Sequence, residues 1–287
     1  MLATDSISQT RIPQLWDRGL RGNGVRIGVI GTGIDLLHPD FMGCPINATS
    51  LVPGGIEDHV PHETGIVWVL SRIAPNAEIF LVKDRVGEIG SLSTLITACQ
   101  QLLAMNVDLV NLSMAGDVSY GIDPLSREVN YLTARGVTVV AAAGNFGPRP
   151  RTIGTPGIAE TAITVGKVDG RDRVARTSSR GPTRDGRQKP DCVAPGHSII
   201  AAVPRSYGSR YGVYSCTSFA TPHVTGTLAL LKQAYPPAST EELKRAILES
   251  CDPATVPFDV HKHEYATGHG RLNASRAYEV LMKNVRN

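Results

Sequence analysis

The sequence predicts an α/β fold in which helices cover both faces of a mostly parallel, doubly wound sheet. Short apolar, β-branched runs alternate with longer stretches of helical periodicity. That alternation is typical of parallel strands joined by helical crossovers. Of the 287 residues, 41% are hydrophobic and 19% are charged, which is enough to enclose one large core. We therefore expect residues 1–287 to form a single domain.

Each predicted element follows from its own pattern. Buried runs bounded by glycine or polar residues predict strands at 25–31, 78–82, 108–112, 137–142 and 162–165. Apolar residues spaced three and four apart predict helices at 64–71, 92–105, 126–135, 219–233, 240–249 and 274–282. Ligands of such sheets bind at the carboxyl ends of the strands. Gly31, Ser113 and Asn145 lie at or just past such ends, so we expect them to share one site.

Composition excludes several classes of function. The net charge is only +3 without a basic run, so nucleic-acid binding has no support. No apolar run has the length of a membrane span, and the first residues lack the pattern of a signal peptide. The cysteines are odd in number and scattered, at 44, 99, 192, 216 and 251. They favour reduced thiols in a cytoplasmic protein.

The segment 216–226 (CTSFATPHVTG) places Ser218 just ahead of the apolar run 227–231. This pattern predicts a loop that turns into a buried helix. A hydroxyl at that point lies in the positive field of the helix N-terminus, beside free backbone N–H donors. Such a position suits a nucleophile whose reaction develops an oxyanion, although a serine before a helix can equally be a simple N-cap.

Two further segments favour the catalytic interpretation. Residues 139–147 (VVAAAGNFG) are typical of a buried strand that ends in a glycine turn presenting an asparagine. Residues 57–65 (EDHVPHETG) carry histidines just before an apolar stretch. With these segments the chain resembles the subtilisin-like serine peptidases, or subtilases. Their serine motif, GTSMA[ST]PHVAG, is closely matched, with Cys216 for the first glycine and Phe219 for the methionine. Their histidine motif, HGTHVAG, is matched only at His59, His62 and Gly65.

The resemblance implies a subtilisin-like fold and a role for each of several residues. Ser218 would be the nucleophile, His59 the general base, and Asn145 the side-chain donor to the oxyanion beside the Ser218 N–H. The structural alternatives are a solvated loop histidine and a turn-forming asparagine.

The resemblance also implies substrate-binding residues. Ser113, Met114 and Ala115 match the segment that pairs with an extended substrate. Such pairing uses hydrogen bonds to the substrate backbone and does not select its side chains. Small residues, among them Gly144 and Gly154, would line the pocket that binds the side chain of the substrate residue before the scissile bond. Phe146 would stand at its rim and favour an apolar residue there, or else pack in the core.

One position departs from the family. The segment 26–35 (RIGVIGTGID) resembles the first strand of subtilases, but Gly31 occupies the place of the triad aspartate. That carboxylate holds the imidazole in its useful tautomer and stabilises the imidazolium. Glycine would leave a hole, which Asp58, Asp35, or a carboxylate from a substrate or partner could fill. On this interpretation Gly31→Asp should raise peptide hydrolysis by roughly 10²–10⁴.

Two functions remain open from the sequence. The first is a serine endopeptidase with a degraded triad that cleaves peptide bonds through an acyl-enzyme on Ser218. The second is a catalytically impaired pseudo-protease that binds extended peptides or a protein partner. In either case the expected partner is a peptide or protein, without a cofactor, a metal, nucleic acid or a membrane.

The first prediction concerns calcium. Subtilases often carry a calcium-binding insertion in the helix after the histidine motif, whereas residues 65–75 here run straight through without an Asn-rich loop. A bound metal stabilises by a few kcal/mol when it is far above its dissociation constant. The Tm should therefore move little between excess calcium and chelator in differential scanning calorimetry. A large fall in Tm on chelation would reveal a calcium site outside that helix.

Overall fold

The computed structural model describes residues 3–87, 89–116, 123–258 and 262–286, and it confirms the predicted α/β fold. The strands are β1 (Arg26–Gly31), β2 (Ile46–Ser50), β3 (Glu78–Lys83), β4 (Arg85–Val86), β5 (Ile89–Gly90), β6 (Leu109–Leu112), β7 (Thr138–Ala142), β8 (Ile163–Val168), β9 (Cys192–Pro195), β10 (Ile199–Ala202) and β11 (Tyr211–Tyr214). Within the described residues, seven of them form a parallel sheet in the order β2-β3-β1-β6-β7-β8-β9. Two antiparallel pairs, β4-β5 and β10-β11, stand apart from it.

The helices connect these strands across both faces. They are α1 (Ala3–Gln9), α2 (Pro13–Trp16), α3 (Glu63–Ile73), α4 (Leu92–Ala104), α5 (Pro124–Ala134), α6 (Thr217–Ala234), α7 (Thr240–Glu249), α8 (Glu264–Thr267) and α9 (Ala274–Arg286). Two short 3₁₀ turns lie at Pro39–Phe41 and Arg205–Tyr207. In the described part of the chain, no helix has both the length and the apolar character needed to cross a bilayer.

The two faces of the sheet belong to two hydrophobic clusters. Neighbouring residues on a strand point to opposite faces, and Val29 and Ile30 of β1 accordingly lie in different clusters. Val29 packs in the cluster that contains the apolar residues of α3 and α6. Ile30 packs in the cluster that contains those of α4 and α5. The doubly covered sheet brings the carboxyl ends of β1, β6 and β7 together near the first turns of α3 and α6.

The five predicted strands appear as β1, β3, β6, β7 and β8, and the six predicted helices as α3 to α7 and α9. The sequence did not reveal the remaining strands or the short helices, which are β2, β4, β5, β9, β10, β11, α1, α2 and α8. Strand β2 reads INATS and is mostly half-exposed, so it lacks both a continuous apolar run and a clean alternation. Strand β9 is only four residues long and ends in proline, which normally argues against a strand.

Candidate active site

A cavity of about 330 Å³ opens where β1, β6 and β7 end. Six of the residues predicted from the sequence line it: Ser113, Met114, Ala115, Asn145, Phe146 and Ser218. Two other predicted residues, Gly144 and Gly154, lie against the ring of Phe146, which itself lines the cavity. A Cβ on Gly144 would lie 3.0 Å from the Phe146 ring, and one on Gly154 would lie 3.4 Å from it. The structure therefore brings the predicted nucleophile, amide donor and substrate-binding segment together.

The prediction that placed His59 in this site is not supported, because the structure puts it elsewhere. His59 is exposed and lines a separate cavity with Asp35 and Arg205. Its backbone carbonyl accepts a hydrogen bond from the Tyr207 hydroxyl at 2.8 Å. The histidine that shares a cavity with Ser218 is His62. Two histidines three residues apart made the sequence ambiguous. The following threonine, Thr64, was the available signal, since it aligns His62 with the first histidine of HGT.

His62 is the N-cap of α3 and is held from two sides. Its Nδ1 lies 2.5 Å from Glu63 Oε2. A carboxylate can only accept, so Nδ1–H is the donor and Nε2 is left for other partners. The ring also meets Phe219 edge-on, with centroids 6.0 Å apart. Burial would lower the pKa of His62, but the charge of Glu63 and hydrogen bonds with Cys216 and Glu63 raise that pKa well above its usual value.

Glu63 fills the space that Gly31 leaves open. The glutamate is only 2% exposed. A Cβ built on Gly31 would lie 2.5 Å from both Cγ and Oε1 of Glu63, far inside van der Waals contact. The hydroxyl of Thr32, which follows Gly31, donates to Glu63 Oε2 at 3.3 Å. The hole expected behind the histidine is therefore absent, because a carboxylate from α3 occupies it.

The two carboxylates that the sequence offered as substitutes are engaged elsewhere. Asp58 is buried, and it accepts hydrogen bonds from the Thr32 hydroxyl at 2.7 Å and from the Thr64 amide and hydroxyl at 3.0 and 2.7 Å. It thereby caps the first turn of α3. Asp35 accepts from the backbone amide and Nε of Arg205, at 2.8 and 3.0 Å. Burial alone would raise the pKa of Asp35, but these bonds to Arg205 lower it.

Ser218 lies in the first turn of α6 and is 7% exposed. The hydroxyl of Ser113, just beyond β6, donates to the Ser218 carbonyl at 2.8 Å and fixes this turn against the sheet. Cys216 is the N-cap of α6 and precedes Ser218 by two residues, close enough to His62 for the two side chains to affect each other's pKa. Burial would raise the pKa of the Cys216 thiol, but His62 and Ser218 together lower it.

The orientation of the Asn145 amide is determined by its donors. Oδ1 accepts from the Lys167 ammonium at 2.7 Å and from the Thr217 amide at 3.0 Å. Both partners can only donate, so the oxygen must face them. The Nδ2 group is then the one available to a molecule in the cavity. Lys167 also donates to the Ser215 carbonyl at 3.1 Å and is 1% exposed. No motif or periodicity in the sequence indicates that this lysine belongs to the site.

Phe146 is half exposed, at 50%. The alternative that it packs in the core does not hold, because its ring lies over Gly144 and Gly154 at the cavity wall. Arg85 also lines the cavity, where its guanidinium pairs with Asp84 at 2.8 Å and donates to the Met114 sulfur at 3.2 Å.

Among the described residues, no group of three or more potential ligands is arranged to hold a metal ion.

Comparisons with known proteins identify the family of the chain. The sequence profile of the subtilase family matches residues 22–270. The chain is 34% identical over 277 residues to serine protease AprX of Bacillus subtilis (strain 168), which covers 81% of this chain and 62% of that protein. It is 33% identical over 246 residues to subtilisin E of the same strain, covering 80% and 61%. The chain thus spans about three fifths of the length of these relatives.

A solved structure is similar over almost the whole chain. The prenylagaramide maturation protease PagA superposes with a TM-score of 0.79 at 25% sequence identity. The match covers 94% of this chain and 98% of that one. The subtilisin-like form of the predicted fold is therefore confirmed.

The second prediction concerns the buried ammonium of Lys167. Burial lowers the pKa of Lys167 from 10.5 to about 8, against a small opposing effect of Cys216. Below pH 8 both folded and unfolded chains carry the proton, and between pH 8 and 10.5 the unfolded chain binds more protons. The folded state should therefore gain stability over that range, on the order of 3 kcal/mol from this group. In Lys167→Met that gain should disappear.

The measurement is urea unfolding of parent and Lys167→Met at pH 7.5 and 10.5. The difference between their free energies of unfolding should shift in favour of the parent as pH rises. Lys262→Met, which removes an exposed lysine, is the matched control and should show no such shift. A constant difference for Lys167→Met would contradict the burial of a charged ammonium beside Asn145.

Proposed function

Because the chain belongs to the subtilase family, we propose that it is a serine endopeptidase that forms an acyl-enzyme on Ser218. The observation that carries the proposal is the shared cavity of Ser218, His62 and an Asn145 amide of fixed orientation. These are the nucleophile, the base and the oxyanion donor that acyl transfer requires. His62 replaces His59 in the role expected from the sequence.

In the proposed reaction Ser218 is the nucleophile, Asn145 an oxyanion donor, and His62 first the base and then the acid. His62 Nε2 takes the proton of the Ser218 hydroxyl as its Oγ attacks the carbonyl carbon of the peptide bond. The oxyanion accepts hydrogen bonds from Asn145 Nδ2 and from the Ser218 N–H, in the field of the α6 N-terminus. The imidazolium then gives its proton to the leaving amine. In deacylation His62 takes a proton from water as the water oxygen attacks the acyl carbon. It then returns that proton to Ser218 Oγ as the acyl bond breaks and the carboxylic acid product leaves.

The cavity also supports a proposal for substrate binding. Residues Ser113 to Ala115 continue β6 past its last residue, where an extended peptide can pair with their backbone. Gly144 and Gly154 leave room beside Ser218 for the side chain before the scissile bond. The exposed face of Phe146 gives that space an apolar boundary, so we propose a preference for an apolar residue there.

The alternative is a pseudo-protease that binds extended peptides or a protein partner without useful turnover. The observation that favours it is Cys216, which is the N-cap of α6 two residues before the nucleophile, at a position where the family motif has glycine, and whose pKa His62 and Ser218 both lower. A competing hydrogen bond to His62 there would keep the imidazole from the serine hydroxyl.

We also propose a cytoplasmic location, as the sequence suggested. Each of the five cysteines is free of a disulfide, and unpaired thiols are typical of a reducing compartment.

The third prediction separates the two functions and the two histidines. A fluorophosphonate should label the parent at one site and leave Ser218→Ala unlabelled. His62→Ala should slow both labelling and peptide hydrolysis by about 10²–10⁴, the usual contribution of a general base. His59→Ala is the matched control and should behave like the parent, because its ring lies outside the cavity.

Three results would contradict these assignments. Equal labelling of Ser218→Ala would exclude Ser218 as the nucleophile. A loss in His59→Ala as large as that in His62→Ala would return the base to His59. The pseudo-protease would be established if the parent is not labelled, cleaves no peptide of a library, and still binds the same peptides as Ser218→Ala.

A further inference from the structure

The carboxylate beside His62 belongs to a residue at which the family motif has glycine. With His62 as the first residue of HGTHVAG, Glu63 takes the place of the motif's glycine, and Gly31 takes the place of the aspartate on β1. One position has gained a carboxylate and the other has lost one. The structure shows that the two changes meet in space, since the Glu63 side chain fills the volume above Gly31.

Adjacent residues in a helix do not face each other, so the contact needs a particular backbone. His62 is the N-cap of α3, with φ −112° and ψ −66°, and Glu63 is the first residue of the helix proper. His62 thus stands outside the helix proper, and both side chains line the same cavity. The hydrogen bond from Nδ1 to Oε2, at 2.5 Å, is the result.

The surroundings of Glu63 suit a carboxylate. It lies in the first turn of α3, where the helix dipole favours negative charge. The Thr32 hydroxyl donates to it at 3.3 Å. The single hydroxyl proton is shared with Asp58, which is the nearer acceptor at 2.7 Å. Asp58 in turn accepts two hydrogen bonds from the following residue, Thr64. The carboxylate is therefore held by the helix, by Thr32 and by His62.

From this geometry we propose that Glu63 is the positioning carboxylate of the active site, so that the triad is Ser218, His62 and Glu63. The inference rests on the proposed function. Glu63 accepts the Nδ1–H bond throughout, which keeps the Nε2 lone pair available to the Ser218 hydroxyl. When Nε2 takes the serine proton, Glu63 stabilises the imidazolium and itself remains ionised.

The proposal reverses the expectation for Gly31→Asp. From the sequence alone that change fills a hole and restores activity. In the structure the new Cβ would collide with Cγ and Oε1 of Glu63, and a second carboxylate would be forced against the first. Gly31→Asp should therefore lower activity and stability. The double variant Gly31→Asp/Glu63→Gly removes the obstacle and returns the carboxylate to β1, so it should recover activity relative to either single change.

The central test is Glu63→Gln, which keeps the size of the side chain and removes its charge. We expect kcat to fall by about 10²–10⁴ while KM changes little, because the carboxylate acts mainly in the transition state. Glu63→Asp should retain more activity than Glu63→Gln. Asp58→Asn is the matched control for removing a buried carboxylate nearby. It should lower Tm through loss of the α3 cap, with a smaller effect on kcat.

The pH profile gives a second readout that a merely structural residue would not move. The ionisable groups near His62 are Glu63 on α3 and Cys216 at the start of α6. Asp58 and Asp84 lie within electrostatic range of Glu63, and Arg85 on the cavity wall is paired with Asp84. Since Glu63 contributes most to raising the pKa of His62, the acidic limb of kcat/KM should move to lower pH in Glu63→Gln. It should stay close to the parent's in Asp58→Asn.

A readout independent of turnover keeps this inference separate from the proposed function. In Ser218→Ala, the imidazole of His62 can be titrated by NMR with and without Glu63→Gln. A fall in the pKa of His62 upon that change supports the carboxylate contact even if the parent hydrolyses nothing. An active parent whose kcat, pH profile and His62 titration are all unchanged by Glu63→Gln would overturn the proposal and leave the serine peptidase assignment intact.

Discussion

A carboxylate can be buried at the first turn of α3 only because β1 ends in a glycine. Any side chain at position 31 would occupy the volume of Glu63 Cγ and Oε1. This steric constraint sets the position of His62, whose Nδ1 lies against the same carboxylate. Asp58 extends the arrangement by capping α3 and sharing the Thr32 hydroxyl with Glu63. The end of β1 and the start of α3 therefore depend on each other, because Gly31 makes room for Glu63 and Thr32 bonds both acidic residues.

Opposite charges lie on the two sides of the cavity. Glu63 stands behind His62, and the buried ammonium of Lys167 stands behind the Asn145 amide. In acyl transfer the imidazole gains positive charge while the carbonyl oxygen gains negative charge. An anion behind the first group and a cation behind the second favour that charge separation. Both groups are nearly inaccessible to water, so their fields are screened less than those of surface charges.

The sequence predicts the parts of this molecule whose signals are local. Strands such as β7 are continuous apolar runs, and the serine motif specifies both Ser218 and the helix that carries it. Strand β2 was missed because its polar, half-exposed residues depend on β3 for their conformation. Lys167 was missed for a similar reason, since nothing in the pattern of β8 shows that its ammonium reaches Asn145.

The histidine and its carboxylate show a different limit of sequence reading. His59 and His62 are both polar residues before an apolar run, and only the position of the α3 N-terminus distinguishes them. Gly31 suggested a missing group because a linear motif ties a function to one position. A serine peptidase site of the kind proposed here needs a carboxylate oxygen within hydrogen-bonding distance of Nδ1, whichever residue supplies it. The side chain of the very next residue, Glu63, meets that need.

The two possible sources of this carboxylate exclude each other. An aspartate at 31 together with glutamate at 63 would collide, whereas glycine at both positions would leave the imidazole without a carboxylate partner. A single substitution from either arrangement therefore produces a defective site, and only a paired change leads from one to the other.

The two arrangements also differ in which element positions the carboxylate. A carboxylate on β1 is positioned by the sheet, whereas Glu63 is bonded through the backbone to the histidine that it orients. In the proposed site the alignment of His62 thus depends on the first turn of α3, and the cap that Asp58 provides stabilises that turn without bonding the imidazole.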